Sequence, residues 1–368
     1  MKTKMKKAKI IPTLVSLVVG GLFGFLIASA GVDAGKDLPV EVFVLWGIAF
    51  LPVIILVIAA HEAGHAVAGI SQNFDFRMFV VGPFMWDREQ DGWKFKWNKN
   101  VNVAGGMVIC LPRGTENLKK RFMVYGAGGP LASLLLTVVG YLLHIALPSG
   151  SYIGYLFLLI ALLSFLIFVV TIIPLHVGGF TTDGGRILNL LRGGERAQFE
   201  TLMIKLITQS SAGVRPALLN WQDLVEADHL GRKLNSPFHI YIQSYFFQSA
   251  WDKGDLELAH QHLLAYVAGS ESIPEGLRGM VWLDAALFFA VAKQDYAQAR
   301  TYWQNFIPSA ILPKAQIHAV EAALLLEENR QQAAEKIDAA VRELPNMLDR
   351  GAALALHDRL LVLKGIAA

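Results

Sequence analysis

The side chains of this sequence best suited to chemistry are concentrated in the segment His61-Glu62-Ala63-Gly64-His65. On an α-helix, His61 and His65 are four positions apart and therefore lie on one face, one turn from each other. Two imidazoles in this arrangement can bind one Zn²⁺ ion, and Glu62 beside them can exchange protons with an attacking water molecule. The pattern therefore predicts metal-assisted hydrolysis of a peptide bond.

The segment that precedes this motif is strongly apolar. Residues 42–60 contain no Asp, Glu, Lys, Arg or His. Ionisable side chains inside an apolar span are energetically costly and usually functional. Three of them within five residues would need strong compensation without a metal, which favours a functional site over a chance match. The sequence therefore places the site in a membrane.

Three motifs together resemble the site-2 protease family of intramembrane zinc metalloproteases. The first, HEAGH, is followed by Gly126-Ala127-Gly128-Gly129-Pro130-Leu131 and then by Asp183-Gly184-Gly185, each associated with an apolar segment. The resemblance covers residues 40–192. It implies that His61, His65 and Asp183 hold a single zinc ion. It also implies that Glu62 is the general base and acid, and that membrane-spanning proteins or peptides are cut near the cytoplasmic side.

The third metal ligand is the point at which the chain departs from the family pattern. The family places the acid of its DG motif shortly after Asn-x-x-Pro, whereas this chain has Thr171 in place of the Asn, then Pro174 and a longer interval before Asp183. His176 is closer to Pro174 and is the competing candidate. An Asp before a helix can also be an N-cap. We expect Asp183 to be the ligand because two glycines follow it, as in the family motif.

Composition divides the chain into an apolar first half and a polar second half. Hydrophobic residues make up 54% of the chain and charged residues 17%, which is typical of a membrane protein. The net charge of +3, without a basic tract beyond the N-terminus, argues against a nucleic-acid partner. The single cysteine, Cys110, excludes an intrachain disulfide and a structural zinc site of the cysteine type.

Four apolar segments, residues 10–32, 42–70, 122–147 and 152–175, are long enough to cross a bilayer. By the positive-inside rule, the lysines before the first segment and the basic loop before the third place both the N-terminus and the C-terminal region in the cytoplasm. The first segment also resembles a secretory signal peptide, although its apolar core is longer than such signals have. We expect a polytopic α-helical protein of the plasma membrane, with a protease domain over residues 1–192.

Residues 74–98, within the region 74–110 between the second and third spans, show the period-two alternation of β-strands. Asp91-Gly92 predicts a hairpin turn between an earlier strand and the alternating aromatic and lysine residues of 93–97. We expect a small β-hairpin or sheet at the membrane interface. Two roles are open for it: an anchor, or an edge strand that pairs with an extended substrate.

Residues 193–368 predict a soluble, cytoplasmic α-helical domain. Three segments each follow an apolar helix and begin another one, with Ala259, Ala299 and Ala334 at similar positions. This pattern resembles tetratricopeptide-type helical hairpins, which bind peptides or protein partners, and a generic helical bundle is the alternative. It leaves a second functional hypothesis, a membrane-anchored scaffold with a structural metal whose helical repeats recruit a partner protein.

Overall fold

The computed structural model describes residues 38–98, 105–177, 180–236, 238–309 and 311–367. Contacts divide the chain into two units. The first contains the residues up to Ser71 together with Phe122–Leu191, and the second contains Gln72–Arg121 together with Arg192–Ala368. The β region therefore groups with the C-terminal helices, whereas the sequence assigned it to the same domain as the spans.

Three helices of the described chain are long and apolar enough to cross a membrane. They are α1 (Val40–Ser71), α2 (Leu118–Ala146) and α3 (Tyr152–Ile172). These helices agree with the predicted spans 42–70, 122–147 and 152–175, except that α2 begins earlier because the basic residues before Phe122 are already helical. The fourth predicted span, residues 10–32, lies outside the described residues.

The first unit has an apolar core between α1 and α3. Val53 and Val57 of α1 pack in one cluster with Leu159 and Leu163 of α3. The indole Nε1 of Trp46 in the same cluster donates a hydrogen bond of 2.9 Å to a main-chain carbonyl oxygen of α3. Apart from the HEAGH residues of α1, both helices are strongly apolar, and many of their large apolar side chains are exposed, as expected for helices surrounded by lipid.

A short connection after α3 leads to the third motif. Strands β5 (His176–Val177) and β6 (Phe180–Thr181) pair, and helix α4 (Asp183–Arg192) follows at once. The hydroxyl of Thr182 donates to the carbonyl oxygen of Ile173 at 2.7 Å and accepts from the main-chain N–H of Gly185 at 3.3 Å. Thr182 is therefore the N-cap of α4, and the Asp183 carboxylate is not needed for that role.

The β region is a four-stranded antiparallel sheet in the order β3-β2-β1-β4. Its strands are β1 (Phe74–Val81), β2 (Phe84–Glu89), β3 (Gly92–Trp97) and β4 (Met107–Pro112). The hairpin expected over residues 74–110 is therefore larger than predicted. The turn predicted at Asp91-Gly92 is present, but it joins β3 to β2, because an earlier turn at Gly82 already reverses the chain between β1 and β2.

The two faces of this sheet differ in chemistry. Met78, Val80 and Met85 are buried on the inner face, in a cluster with Ile311 of the C-terminal region. The outer face carries exposed aromatic side chains: Trp86, Trp93, Phe95 and Trp97. Because side chains alternate along a strand, the lysines of β3 are on the opposite face from its aromatic residues. The exposed aromatic face has the composition of a membrane-interface surface.

Nine helices of the described chain form the C-terminal region: α5 (Gly194–Ser211), α6 (Trp221–Lys233), α7 (His239–Asp252), α8 (Leu256–Ala268), α9 (Glu275–Val291), α10 (Tyr296–Trp303), α11 (Lys314–Leu325), α12 (Arg330–Glu343) and α13 (Arg350–Ala367). Three successive pairs, α7 with α8, α9 with α10 and α11 with α12, pack as helical hairpins around one apolar core.

The second helix of each pair begins where the sequence predicts. Side chains of Asp255, Asp295 and Asn329 each accept a hydrogen bond from the main-chain N–H three residues later, at 3.0, 2.9 and 3.0 Å. An alanine four residues after each cap is fully buried: Ala259, Ala299 and Ala333. In the third pair the buried residue is Ala333 rather than the predicted Ala334. A repeat relationship among the three pairs stays a prediction.

Candidate metal centre

His61 and His65 lie on one face of the continuous helix α1, as their spacing predicts. Each is only 6% exposed. Their Nε2 atoms are 3.2 Å apart. The helix alone therefore brings two potential metal ligands together in a buried position.

The third potential ligand comes from the start of α4. One carboxylate oxygen of Asp183, Oδ2, lies 3.3 Å from the Nε2 atom of His61 and 3.3 Å from that of His65. Because Thr182 caps α4, the Asp183 carboxylate is available for another partner. The two neighbouring histidines and the distant Asp183 therefore meet as a cluster that could hold a metal ion.

The distances within this cluster fit a tetrahedral zinc ion. Ligand atoms at about 2.0–2.1 Å from zinc and at the tetrahedral angle are about 3.3–3.4 Å from each other. The observed separations of 3.2, 3.3 and 3.3 Å agree with that value. Two imidazole nitrogens and a carboxylate oxygen are also donors that zinc accepts. The residues present therefore fit the ion that the motif implies.

The second ring nitrogen of each histidine also has a partner. His65 Nδ1 is 2.8 Å from the main-chain carbonyl oxygen of Tyr125, and His61 Nδ1 is 3.0 Å from the hydroxyl of Ser133. A carbonyl oxygen only accepts hydrogen bonds, so the shorter contact, to Tyr125, requires the tautomer of His65 with its proton on Nδ1 and the lone pair of Nε2 toward the cluster. The main-chain N–H of Gly129, 3.3 Å from the same Nδ1, then only contacts it. The buried side chain of Ser164 donates to the Ser133 carbonyl oxygen at 2.8 Å, which helps to fix this part of α2.

The glycine-rich segment of α2 packs directly against α1. A Cβ atom built on Gly64 would be 2.3 Å from the carbonyl oxygen of Gly128, and one built on Gly128 would be 2.3 Å from that of Gly64. Real Cβ atoms do not approach so closely, so the two helices meet through their backbones. Gly129, next in the segment, faces the histidine rings. The motif therefore lies beside the cluster, as the resemblance implies.

Glu62 is buried on α1, with 9% of its surface exposed. Glu62 is not part of the three-ligand cluster. This is expected of a group that transfers protons and does not bind the metal. The side chain of His176, the competing third ligand, lies outside the described part of the structure. Ser133 and the Tyr125 carbonyl were not identified from the sequence, although Ser133 is one of the few polar residues in the apolar part of α2.

Comparison with known proteins gives one match. Residues 49–154 match the sequence model of peptidase family M50, which is the site-2 protease family. The matched stretch contains HEAGH and the glycine-rich segment of α2 and ends before Asp183. It confirms the resemblance inferred from those two motifs. No curated protein and no solved structure gives a match.

Proposed function

Because residues 49–154 are similar to peptidases of family M50, we propose that this membrane protein is a zinc metalloendopeptidase that cuts membrane-embedded substrates. The observation that carries the proposal is the cluster of His61, His65 and Asp183, whose ligand atoms have the spacing of a tetrahedral zinc site.

In the proposed reaction, the three clustered side chains hold the zinc ion and Glu62 moves the protons. When bound, the ion supplies Lewis acidity, which polarises a peptide carbonyl and makes water acidic enough to react near neutral pH. Glu62 takes a proton from the attacking water molecule and delivers it to the leaving amine. Because the histidines and Glu62 are buried, the Glu62 carboxylate and the polar groups of the cluster act in a medium of low dielectric constant, where their interactions are stronger.

The absence of a side chain at Gly129 makes room for the histidine rings themselves, because a Cβ atom there would lie 2.3 Å from His65 Nε2. An extended substrate therefore has to approach the cluster from another side. The exposed apolar surfaces of α1, α2 and α3 favour a substrate that reaches the site from the membrane. We therefore assign membrane-spanning proteins or peptides as substrates, cut near the cytoplasmic side in regulated intramembrane proteolysis or peptide processing.

The sheet and the C-terminal helices have supporting roles in this proposal. The exposed aromatic face of the sheet suits an anchor at the membrane surface. Its edge strands, β3 and β4, remain candidates for pairing with an extended substrate. We place the helical hairpins in the cytoplasm, at the plasma membrane, where they can bind a protein partner.

The number of metal ligands favours the hydrolase over the scaffold hypothesis. Structural zinc sites generally use four protein ligands, whereas catalytic sites use three and leave a position for water or substrate. Among the described residues, the cluster contains three ligands.

The proposal is tested with a Glu62→Gln variant of the full-length protein in detergent. We expect it to keep the zinc content of the unmodified protein and to lose cleavage of a membrane-spanning model peptide by about 10²–10⁴-fold. Glu41→Gln is the matched control, since Glu41 is an exposed acid at the other end of the same helix. Full activity of Glu62→Gln would refute the protease proposal, and loss of zinc would move Glu62 into the metal site.

A further inference from the structure

The second unit contains a cavity of about 260 Å³ between the inner face of the sheet and the C-terminal helices. Its wall combines charged and apolar side chains from β1, β2 and β3 with others from α9, α11 and α13. All of them lie outside the candidate metal centre. The volume is close to the lower end of the range of about 300–1,000 Å³ for small-molecule sites. A small molecule would therefore fill it.

A buried acid, Asp284 of α9, lies in the wall of this cavity. It is 5% exposed. Its Oδ1 atom accepts a hydrogen bond of 2.6 Å from the side-chain amide of Gln316, and its Oδ2 atom has no partner in the described chain. Burial raises the pKa of Asp284 to about 7. Among the described residues, the Asp284 carboxyl group therefore has Gln316 as a hydrogen-bond donor, and its Oδ2 atom lacks a second one.

A buried base, Arg359 of α13, lies in the same wall. Its guanidinium stacks on the ring of Trp251, 3.5 Å from the ring centroid. The Nη2 nitrogen is buried and has no hydrogen-bond partner among the described residues. Burial lowers the pKa of Arg359 to about 10, although Asp284 nearby acts in the opposite direction. A guanidinium in this position lacks the carboxylate that usually pairs with it.

Two opposite charges thus share one cavity without forming an ion pair with each other. Leaving either group unsatisfied costs stability, and the cost is larger for a charge than for a neutral polar group. Met280, Leu287 and Leu356 supply apolar surface in the wall of the same cavity. A ligand that satisfied both charges and covered the apolar surface would need an acidic group, a basic group and an apolar body.

We propose that this cavity binds an apolar amino acid or a short apolar peptide. The ligand carboxylate pairs with Arg359, the ligand amino group pairs with Asp284, and the apolar side chain lies against Met280 and Leu287. Both side chains line the cavity, but their unpartnered atoms are buried, so the carboxyl and guanidinium groups must rotate toward the ligand to pair with it. This site is distinct from the metal centre and does not depend on the proposed peptidase activity.

The test measures binding to the full-length protein in detergent, in the Glu62→Gln background so that cleavage plays no part. The probes are L-leucine and the dipeptide Leu-Leu, compared with L-leucinamide, which lacks the carboxylate, and 4-methylpentanoate, which lacks the amino group. We expect at least one of the first two to raise Tm and to bind at least ten times more tightly than either truncated analogue. Equal binding of all four would refute the charge pairing, and no binding by leucine or Leu-Leu would refute the proposal.

Three variants distinguish the cavity from nonspecific effects. Asp284→Asn preserves the acceptor for Gln316, and Arg359→Gln removes the cation; each should weaken binding of the effective probe at least tenfold. Lys364→Gln is the matched control, because Lys364 is an exposed base on the same helix as Arg359, paired with the exposed Asp338. If Arg359→Gln does not fold, Asp284→Asn decides alone: unchanged binding by a folded Asp284→Asn protein would overturn the assignment.

Discussion

The main chain of Gly129 lies directly against the metal-facing nitrogen of His65. A Cβ atom built on Gly129 would be 2.3 Å from His65 Nε2 and 2.6 Å from His61 Nε2. The surface that α2 presents to the two histidines at this point is therefore main chain alone. Any side chain here would occupy the space in which the ligand atoms meet.

This contact predicts that Gly129→Ala lowers zinc content and abolishes cleavage, because the methyl group displaces one or both imidazoles. Gly126→Ala is the matched control: its Cβ would lie 3.5 Å from Ile187 Cγ1, an ordinary van der Waals contact. Zinc per chain, measured by atomic emission, and cleavage of the model peptide are compared in both variants. A Gly129→Ala protein with normal zinc and normal activity would show that the site has room for a side chain.

The position of Asp183 predicts a difference between the two candidates for the third ligand. Asp183→Ala should lose both zinc and activity, because it removes the carboxylate that is 3.3 Å from both histidines. His176→Ala should retain zinc. The fold of both variants can be checked by their elution in detergent, since Thr182 still caps α4 in each. The reverse pattern of zinc loss would make His176 the ligand.

The hydrogen bond between His61 and Ser133 predicts a role in orienting the imidazole. Ser133→Ala should weaken zinc binding about 10–100-fold, the usual effect of removing a partner of a metal-bound histidine. Competition with a zinc chelator measures this affinity without reference to activity. Thr137→Ala is the control, because the Thr137 hydroxyl donates to the Ser133 carbonyl oxygen within α2. Equal zinc affinity in the two variants would contradict the orienting role.

The sequence predicted the parts of the site that depend on local geometry. Four-residue spacing on a helix is sufficient to place His61 beside His65, and the apolar spans follow from composition. Asp183 was found through the resemblance alone. The roles of Ser133 and the Tyr125 carbonyl could not be found in this way, because they depend on how α1 and α2 cross, and the close glycine contact that sets this crossing is a tertiary feature.

The same limit applies to the sheet and to the cavity. Strand β2 was not recognised because Asp87 and Glu89 occupy its inward-facing positions, where the period-two pattern leads one to expect apolar residues. Both carboxylates pair with Lys96 of β3, at 2.6 and 2.7 Å, which makes inward charges tolerable. Asp284 and Arg359 similarly resemble ordinary charges of amphipathic helices. Only the fold reveals that they are buried in one wall.

The last prediction concerns the stability of the protein as a function of pH. Burial raises the pKa of Asp284 to about 7, from an ordinary value near 4. Between about pH 4 and pH 7 the folded state therefore binds more protons at this group than the unfolded state does. By linkage, the contribution of Asp284 to the free energy of unfolding falls as pH rises through this window and is constant, at its most unfavourable, above it.

Asp284→Asn removes this titration but keeps an acceptor for Gln316. Its Tm should therefore exceed that of the unmodified protein at pH 8, and the difference should decrease as pH falls toward 5. Asp338→Asn is the control, since Asp338 is an exposed acid paired with Lys364, and it should show no such trend. The Tm of all three proteins is measured by thermal unfolding in detergent, without added amino acid. A lower Tm for Asp284→Asn than for the unmodified protein at pH 8 would mean that the Asp284 charge stabilises the fold through Arg359. A difference in Tm between these two proteins that does not change with pH would mean that Asp284 does not titrate in this range.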